Sequence, residues 1–175
     1  MSTHTTHTTD TRPIESTAWR IDPDRSSVEF AAKAIWGVAT VKGRFARYQG
    51  TFDLSQEPAI DLTIEADSLD TRNERRDTHL RSPDFFDVEQ HPYLRFVSQS
   101  ATLDGERLRV RGLLHARGAS APVDLDATLR EVGDELEIEA LTVVDRRRLG
   151  MTWNWLGTIG RRSRLAVRGR LVRAG

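Results

Sequence analysis

From Trp19 onward the chain alternates apolar and polar residues with a period of two, which restricts it to strands with one buried face. In "SSVEFAAKA", Val28, Phe30, Ala32 and Ala34 share a face while Glu29, Ala31 and Lys33 take the other. "AIDLTIEADSL" puts Ile60, Leu62, Ile64 and Ala66 inward and Asp61, Thr63, Glu65 and Asp67 outward. "ERLRVRGLLHARG" sets Leu108, Val110, Gly112 and Leu114 against Arg107, Arg109 and Arg111. After a "GAS" turn, "PVDLDATL" answers with Val123, Leu125, Ala127 and Leu129 against Asp124 and Asp126. Arginines then face aspartates across an antiparallel pair. "ELEIEALTVV" and "RSRLAVRGRLV" complete the set. Seven or eight such strands joined by short turns predict an all-β fold, an antiparallel barrel or a sandwich.

The 175 residues suit one domain, and 26 basic against 26 acidic residues give no overall charge for a nucleic acid or membrane surface. The balance hides an asymmetry, because Asp145 to Gly175 carries nine arginines and one aspartate. Arg162, Arg164, Arg168 and Arg170 fall on one parity of the last strand, opposite Leu165, Val167 and Leu171. Regular alternation therefore predicts a solvated outer face. The alternative is a groove for single-stranded nucleic acid with Trp153 and Trp155 as stacking platforms. Cysteine is absent, which removes disulfides, thiolate nucleophiles and Cys-based zinc sites.

The first 18 residues are polar and Thr-rich, with no basic region followed by an apolar run. They are expected to form a disordered tail ahead of a barrel domain over 19–175, with His4 and His7 exposed rather than ligating a metal. No stretch reaches the ~18 apolar residues of a membrane span, so the expectation is a soluble chain.

The inward face is rich in small residues: Ala32, Ala34, Ala66, Gly112, Ala116, Ala127, Ala140 and Gly169. Either they leave a space, since an eight-stranded barrel is just wide enough to hold one small ligand, or larger side chains fill it. Phe30, Phe45, Phe52, Phe96, Trp36 and Trp153 are the candidates for filling. Periodicity leaves the two readings open.

The segment Thr71 to Phe96, "TRNERRDTHLRSPDFFDVEQHPYLRF", breaks the pattern with five arginines, two histidines and four aromatics. Thr71 with Glu74 three residues on reads as a capping box, predicting a short helix through Leu80 after a strand ending near Leu69. Asp77 and Arg81, at i, i+4 spacing, are expected to pair on its exposed side. Phe85 and Phe86 are expected to close the helix onto the barrel mouth, and "HPYLRF" to open the next strand. Arg72, Arg76 and His79 suit an anion, because arginine can grip phosphate oxygens with a bidentate fork. There is no G-x-S-x-G, no P-loop, no H-E-x-x-H and no G-x-G-x-x-G after a strand. Asp77 and His79 lie about 200° apart around a helix, so they form no orienting pair, and an esterase-like hydrolase built on His79 is the weakest alternative.

The pieces "IDPDRSSVEF", "VKGRFARYQG", "TRNERRDTHLRSPDFFD" and "RGLLHARGASAPVDL", in that order, resemble the YceI-like family of lipocalin-like, polyisoprenoid-binding proteins from about Trp19 to Val172. The resemblance implies a lipocalin-like antiparallel β-barrel enclosing an elongated apolar tunnel for a polyisoprenoid diphosphate, an isoprenoid quinone or a similar lipid. Phe30, Ala32, Ala34, Trp36, Phe45, Ile64, Phe85, Phe86, Phe96, Ala127 and Trp153 would line that tunnel, with Arg72, Arg76 and His79 meeting a polar head. "DRRRLGMTWNWLGTIGRRSR" keeps the family-like Asp145, Arg146, Gly150 and Met151 but is unusually rich in arginine and tryptophan. The expected role is binding, storage or transport without turnover, with no catalytic residue, no metal and no cofactor beyond the lipid. Neither nucleic-acid binding nor membrane insertion is expected, and a homodimer is left open.

Overall fold

The computed structural model describes residues 18–175, apart from Gln56 and the side chain of Trp155. The expectation of a polar tail over residues 1–18 therefore lies outside the described residues except at Ala18, which already opens the first strand. In chain order the strands are β1 (Ala18–Ala34), β2 (Ala39–Phe45), β3 (Tyr48–Asp53), β4 (Ala59–Glu65), the two-residue β5 (Leu69–Asp70), β6 (Tyr93–Asp104), β7 (Arg107–Ala116), β8 (Ala119–Val132), β9 (Glu135–Asp145) and β10 (Ile159–Arg173). Among the described residues the one α-helix, α1 (Glu74–Arg81), lies between β5 and β6. Antiparallel neighbours run β10–β9–β8–β7–β6–β4–β3–β1, and β1 pairs back onto β10 to close the ring. Of the barrel and the sandwich that the alternation allows, this is the barrel, with eight antiparallel strands, as the family resemblance implies.

Inward residues carry the core. Leu108, Leu171 and Leu69 are almost wholly enclosed, and Ile60, Leu62, Val110, Leu114, Val123, Leu129 and Ile138 are buried around them. Across β7 and β8 the outward arginines meet aspartates as expected, with Arg111 at 3.2 Å from Asp124 and Arg107 at 3.6 Å from Asp126. These exposed pairs set register more than stability.

Parity changes inside β1. Trp19 and Ile21 are buried at odd positions, whereas Val28 is buried at an even one and Phe30 packs beside it. The register to β10 steps from Asp22–Arg170 to Ser27–Arg168, so Pro23 to Ser26 bulge out opposite Gly169. Proline tolerates such a site because it has no ladder hydrogen to donate. Ser26 uses the space: its Oγ accepts from Arg170 N at 3.1 Å and sits 2.0 Å from where a Cβ on Gly169 would lie.

The small inward residues are thus partly seats for larger neighbours. A Cβ on Gly112 would lie 2.7 Å from the Phe96 ring and 2.5 Å from Val97 O, and one on Gly43 would lie 2.4 Å from the Phe30 ring. Phe45, Ile64, Phe96 and Ala127, expected to line a tunnel, are buried within the packed core.

One part of the wall is looser. β2 pairs with β1 along Ala39–Phe45, but its other edge meets β5 only at Arg44 and Phe45, while β3 continues to β4. β2, the end of β1 and the start of β10 therefore form a ribbon that is open along the outer edge of β2 and flanked by β9 as far as the Arg162–Asp145 pair. On its inner face Phe30, Ala32 and Ala34 stand beside Val41 and Gly43 on one side and Ser163 and Leu165 on the other, all only partly buried.

Candidate functional site at the open ribbon and its helical cover

The segment after β5 lies against this ribbon and fills the side where β2 lacks a partner strand. Phe86 meets Phe30 at 6.4 Å and Phe45 at 5.9 Å, both edge-on, and Phe30 meets Phe45 at 5.3 Å. Thr71 touches the Gly43 position, where an added Cβ would come within 2.8 Å of its methyl group. Phe86 packs onto the barrel, as expected from "SPDFFD", whereas Phe85 packs against His79 of the helix and Trp153 of the connection between β9 and β10.

The helix is held differently from the sequence expectation. Its N-cap is Asn73, whose side chain accepts from Arg76 N at 2.9 Å, and not Thr71. Thr71 is buried and donates from N (3.0 Å) and Oγ1 (2.5 Å) to Oδ1 of Asp77, which is also buried. Asp77 therefore faces the barrel and makes no pair with Arg81. Arg81 instead donates to the carbonyls of Asp67 (3.0 Å) and Leu69 (2.8 Å), tying the last turn to the strand before it. Replacing Asp77 by alanine would leave two buried donors unpaired and should cost about 1–3 kcal/mol. Urea unfolding checks this, with Arg75→Ala, at an exposed position, expected within about 0.5 kcal/mol of the parent.

The three proposed head-group cations separate. Arg76 and His79 line one open groove along α1 with Asn73, Arg75, Thr78 and Ser82. Arg72 does not line it, and holds a left-handed backbone (φ 59°) with its N donating to Asp70 at 2.8 Å. Arg76 spends Nε and Nη2 on Thr71, at 2.8 and 2.9 Å. His79 sits 3.0 Å from Asp84 and is flanked edge-on by Phe85 (5.2 Å) and Trp153 (4.5 Å). Both side chains thus fix the cover as well as facing the groove.

Trp153 belongs to the connection between β9 and β10, and the arginine that organises it is marked in the sequence by the family resemblance alone and by no local pattern. Arg146, in a run of three arginines, is buried and donates to the carbonyls of Met151 (2.5 Å), Trp153 (3.0 Å), Gly160 (2.9 Å) and Ile159 (3.4 Å). Burial, followed by the charge of Arg147, pulls its pKa below the usual arginine value. Asp145 caps the 3-10 turn Arg146–Leu149 by accepting from Arg147 N. A hydrogen bond from Arg161 (2.7 Å), with further help from Arg147, holds its carboxyl below the usual aspartate range.

Trp36, expected in the tunnel, is 72% exposed at the tip of the β1–β2 hairpin. Two consecutive turns there reverse the chain beyond Ala34, placing the indole past the end of the wall. Of the outer arginines, Arg162, Arg164 and Arg168 are exposed as the strand parity predicts, whereas Arg170 is half-buried beside the β1 bulge. Arg168 and Arg170 pair with Glu139 (3.0 Å) and Glu137 (3.1 Å), which neutralises much of the surface that a nucleic-acid groove would need. A separate outer groove of about 830 Å3, between β3, β4 and β6, is lined by Thr51, Thr63, Tyr93 and the Arg95–Asp61 ion pair among others.

A closed eight-stranded antiparallel barrel, loosened along one ribbon and covered there by a short helix, defines a lipocalin-like barrel protein. The chain belongs to the YceI-like family, whose domain model matches residues 19–171. It is 38% identical over 103 residues to the protein YceI of Escherichia coli, covering 57% of this chain and 54% of that one. With a UPF0312 protein of Pectobacterium atrosepticum it shares 37% over 112 residues, 62% of this chain and 58% of the relative. The matched part thus spans little more than half the length of these curated relatives. Among solved structures, Burkholderia cenocepacia BcnA superposes with a TM-score of 0.79 at 18% identity, over 87% of this chain and 99% of that one. A polyisoprenoid binding domain from Saccharophagus degradans, implicated in plant cell wall breakdown, gives 0.71 at 12% identity, over 91% and 100%. Among the described residues no helix is long and apolar enough to cross a membrane.

Proposed function

We propose that this chain binds an apolar, chain-like lipid of the isoprenoid class, without turning it over, along the inner face of the β2–β1–β10 ribbon. The observation that carries the reading is the contrast along one wall: inward residues are packed shut around Leu108 and Leu171, but Phe30, Ala32, Ala34, Val41 and Leu165 remain partly accessible. Family membership and the likeness in fold to a polyisoprenoid binding domain support it. Burial drives such binding at about 0.8 kcal/mol per methylene removed from water, so affinity rises with chain length. A diphosphate or quinone head would lie beside α1, where Arg75, Arg76 and His79 face the groove.

Titrating the protein with a long-chain polyprenyl diphosphate and with the matching alcohol, at low and at high salt, tests this. Both should bind, longer chains more tightly, and the alcohol's affinity should not fall as salt rises. Steeply salt-sensitive binding of single-stranded nucleic acid, with no uptake of either lipid, would contradict the reading.

A further inference from the structure

The hairpin tip that leaves the barrel is apolar where a tip is ordinarily polar. Ile35 and Trp36 occupy successive left-handed positions (φ 49° and 51°), which Asn and Gly fill most readily, and Gly37 follows at φ 90°. Exposure is 53% at Ile35, 72% at Trp36 and 87% at Val38. The β9–β10 connection lies alongside, with Trp36 N donating to Thr158 O at 3.4 Å, and adds Leu156 at 70% exposure. Folding gains nothing from placing these side chains in water.

The charges around the tip are of one sign. Residues 31–42 and 146–164 contain Lys33, Lys42 and six arginines but neither Asp nor Glu. Arg146 is buried, and Asp145 pairs with Arg147 and Arg161. Among the described residues Lys33, Lys42, Arg148, Arg162 and Arg164 have no acidic partner. Lys33 and Lys42 lie on the outer parity of the ribbon, behind the apolar tip, and Glu29 is the nearest acid along β1.

We propose that this tip docks on an anionic lipid bilayer, with Trp36, Val38 and Leu156 entering the interfacial region and the unpaired cations meeting acidic headgroups. An exposed tryptophan among aliphatic residues suits the level of the headgroups, and adjacent lysine and arginine add attraction to anionic lipid. No membrane span is involved. The docking rests on the outer tip and stands whatever the barrel encloses.

Sedimentation of the full chain with phosphatidylcholine vesicles, with and without phosphatidylglycerol, tests the proposal. Binding should require the anionic lipid and weaken as salt rises. The pair Trp36→Ser and Val38→Asp should reduce it by about tenfold or more. Lys33→Gln, Lys42→Gln and Arg162→Gln should each reduce it by about fivefold. Thermal unfolding should be unchanged in all of them, since these side chains are exposed. Absence of binding to anionic vesicles, or binding that survives the tip substitutions, would overturn the proposal. So would a stable dimer that the same substitutions dissolve, which would assign the tip to a second copy of the chain.

Discussion

Replacing Arg146 by methionine should destabilise the protein by about 2–4 kcal/mol, the largest effect expected of any single change considered in this barrel. The guanidinium is buried and donates to four carbonyls of the β9–β10 connection, those of Met151, Trp153, Ile159 and Gly160. Methionine matches its bulk but supplies no donor, so the carbonyls of Met151, Trp153 and Gly160 would lose this partner while Ile159 O keeps Asn154 Nδ2 and the packing volume is roughly kept. The loss should reach beyond stability, because Trp153 rests on His79 and Phe85 and so links this connection to the cover over the ribbon. Denaturant unfolding reads the first effect. Faster amide exchange in 151–160 and around His79 reads the second, and Arg148→Met, at an exposed neighbour, should leave both near the parent values.

Enlarging Ala32 to phenylalanine should abolish uptake of a long-chain lipid while changing stability by less than about 1 kcal/mol. Ala32 faces the same side of the ribbon as Phe30, between Val41 on β2 and Ser163 on β10, and is only partly buried. An added ring would occupy the space that the lipid chain needs without pressing on a filled core. Ala127 provides the contrast, since it is buried between Leu108 on β7 and Ala140 on β9. Ala127→Phe should overpack and cost about 1–3 kcal/mol. Thermal unfolding and lipid titration on the two variants separate a void from a packed interior, and equal destabilisation of both would mean that the ribbon face is already full.

The barrel itself was legible because period-two alternation is a local signal that survives into the fold: the buried positions of β4, β7 and β8 fall where the apolar parity puts them, whereas β9 keeps the period but buries Thr142 and exposes Leu141 and Val143. The site was less legible, for reasons that particular residues show. Thr71 looked like a cap from its spacing to Glu74, but its partner is Asp77, six residues on, and nothing local distinguishes a carboxylate turned inward from one turned out. Arg146 is one of three consecutive arginines, and only the path of the following loop selects it for burial. Gly112 and Gly169 read as possible space, yet Phe96 and Ser26 sit over them, a pairing set by register and by the β1 bulge. Pro23 was the one visible sign of that bulge. Trp36 followed the inward expectation only until two turns carried it past the last ladder pair, Ala34 with Ala39.

The most direct test of the proposed lipid site is to record nuclear Overhauser contacts between a bound polyprenyl lipid and the methyl and ring protons of the protein. Binding along the ribbon predicts contacts from the prenyl methyls to Phe30, Ala32, Ala34, Val41 and Leu165. Contacts confined to the outer groove at Thr51, Thr63 and Tyr93, or no contact with the ribbon at saturating lipid, would contradict it.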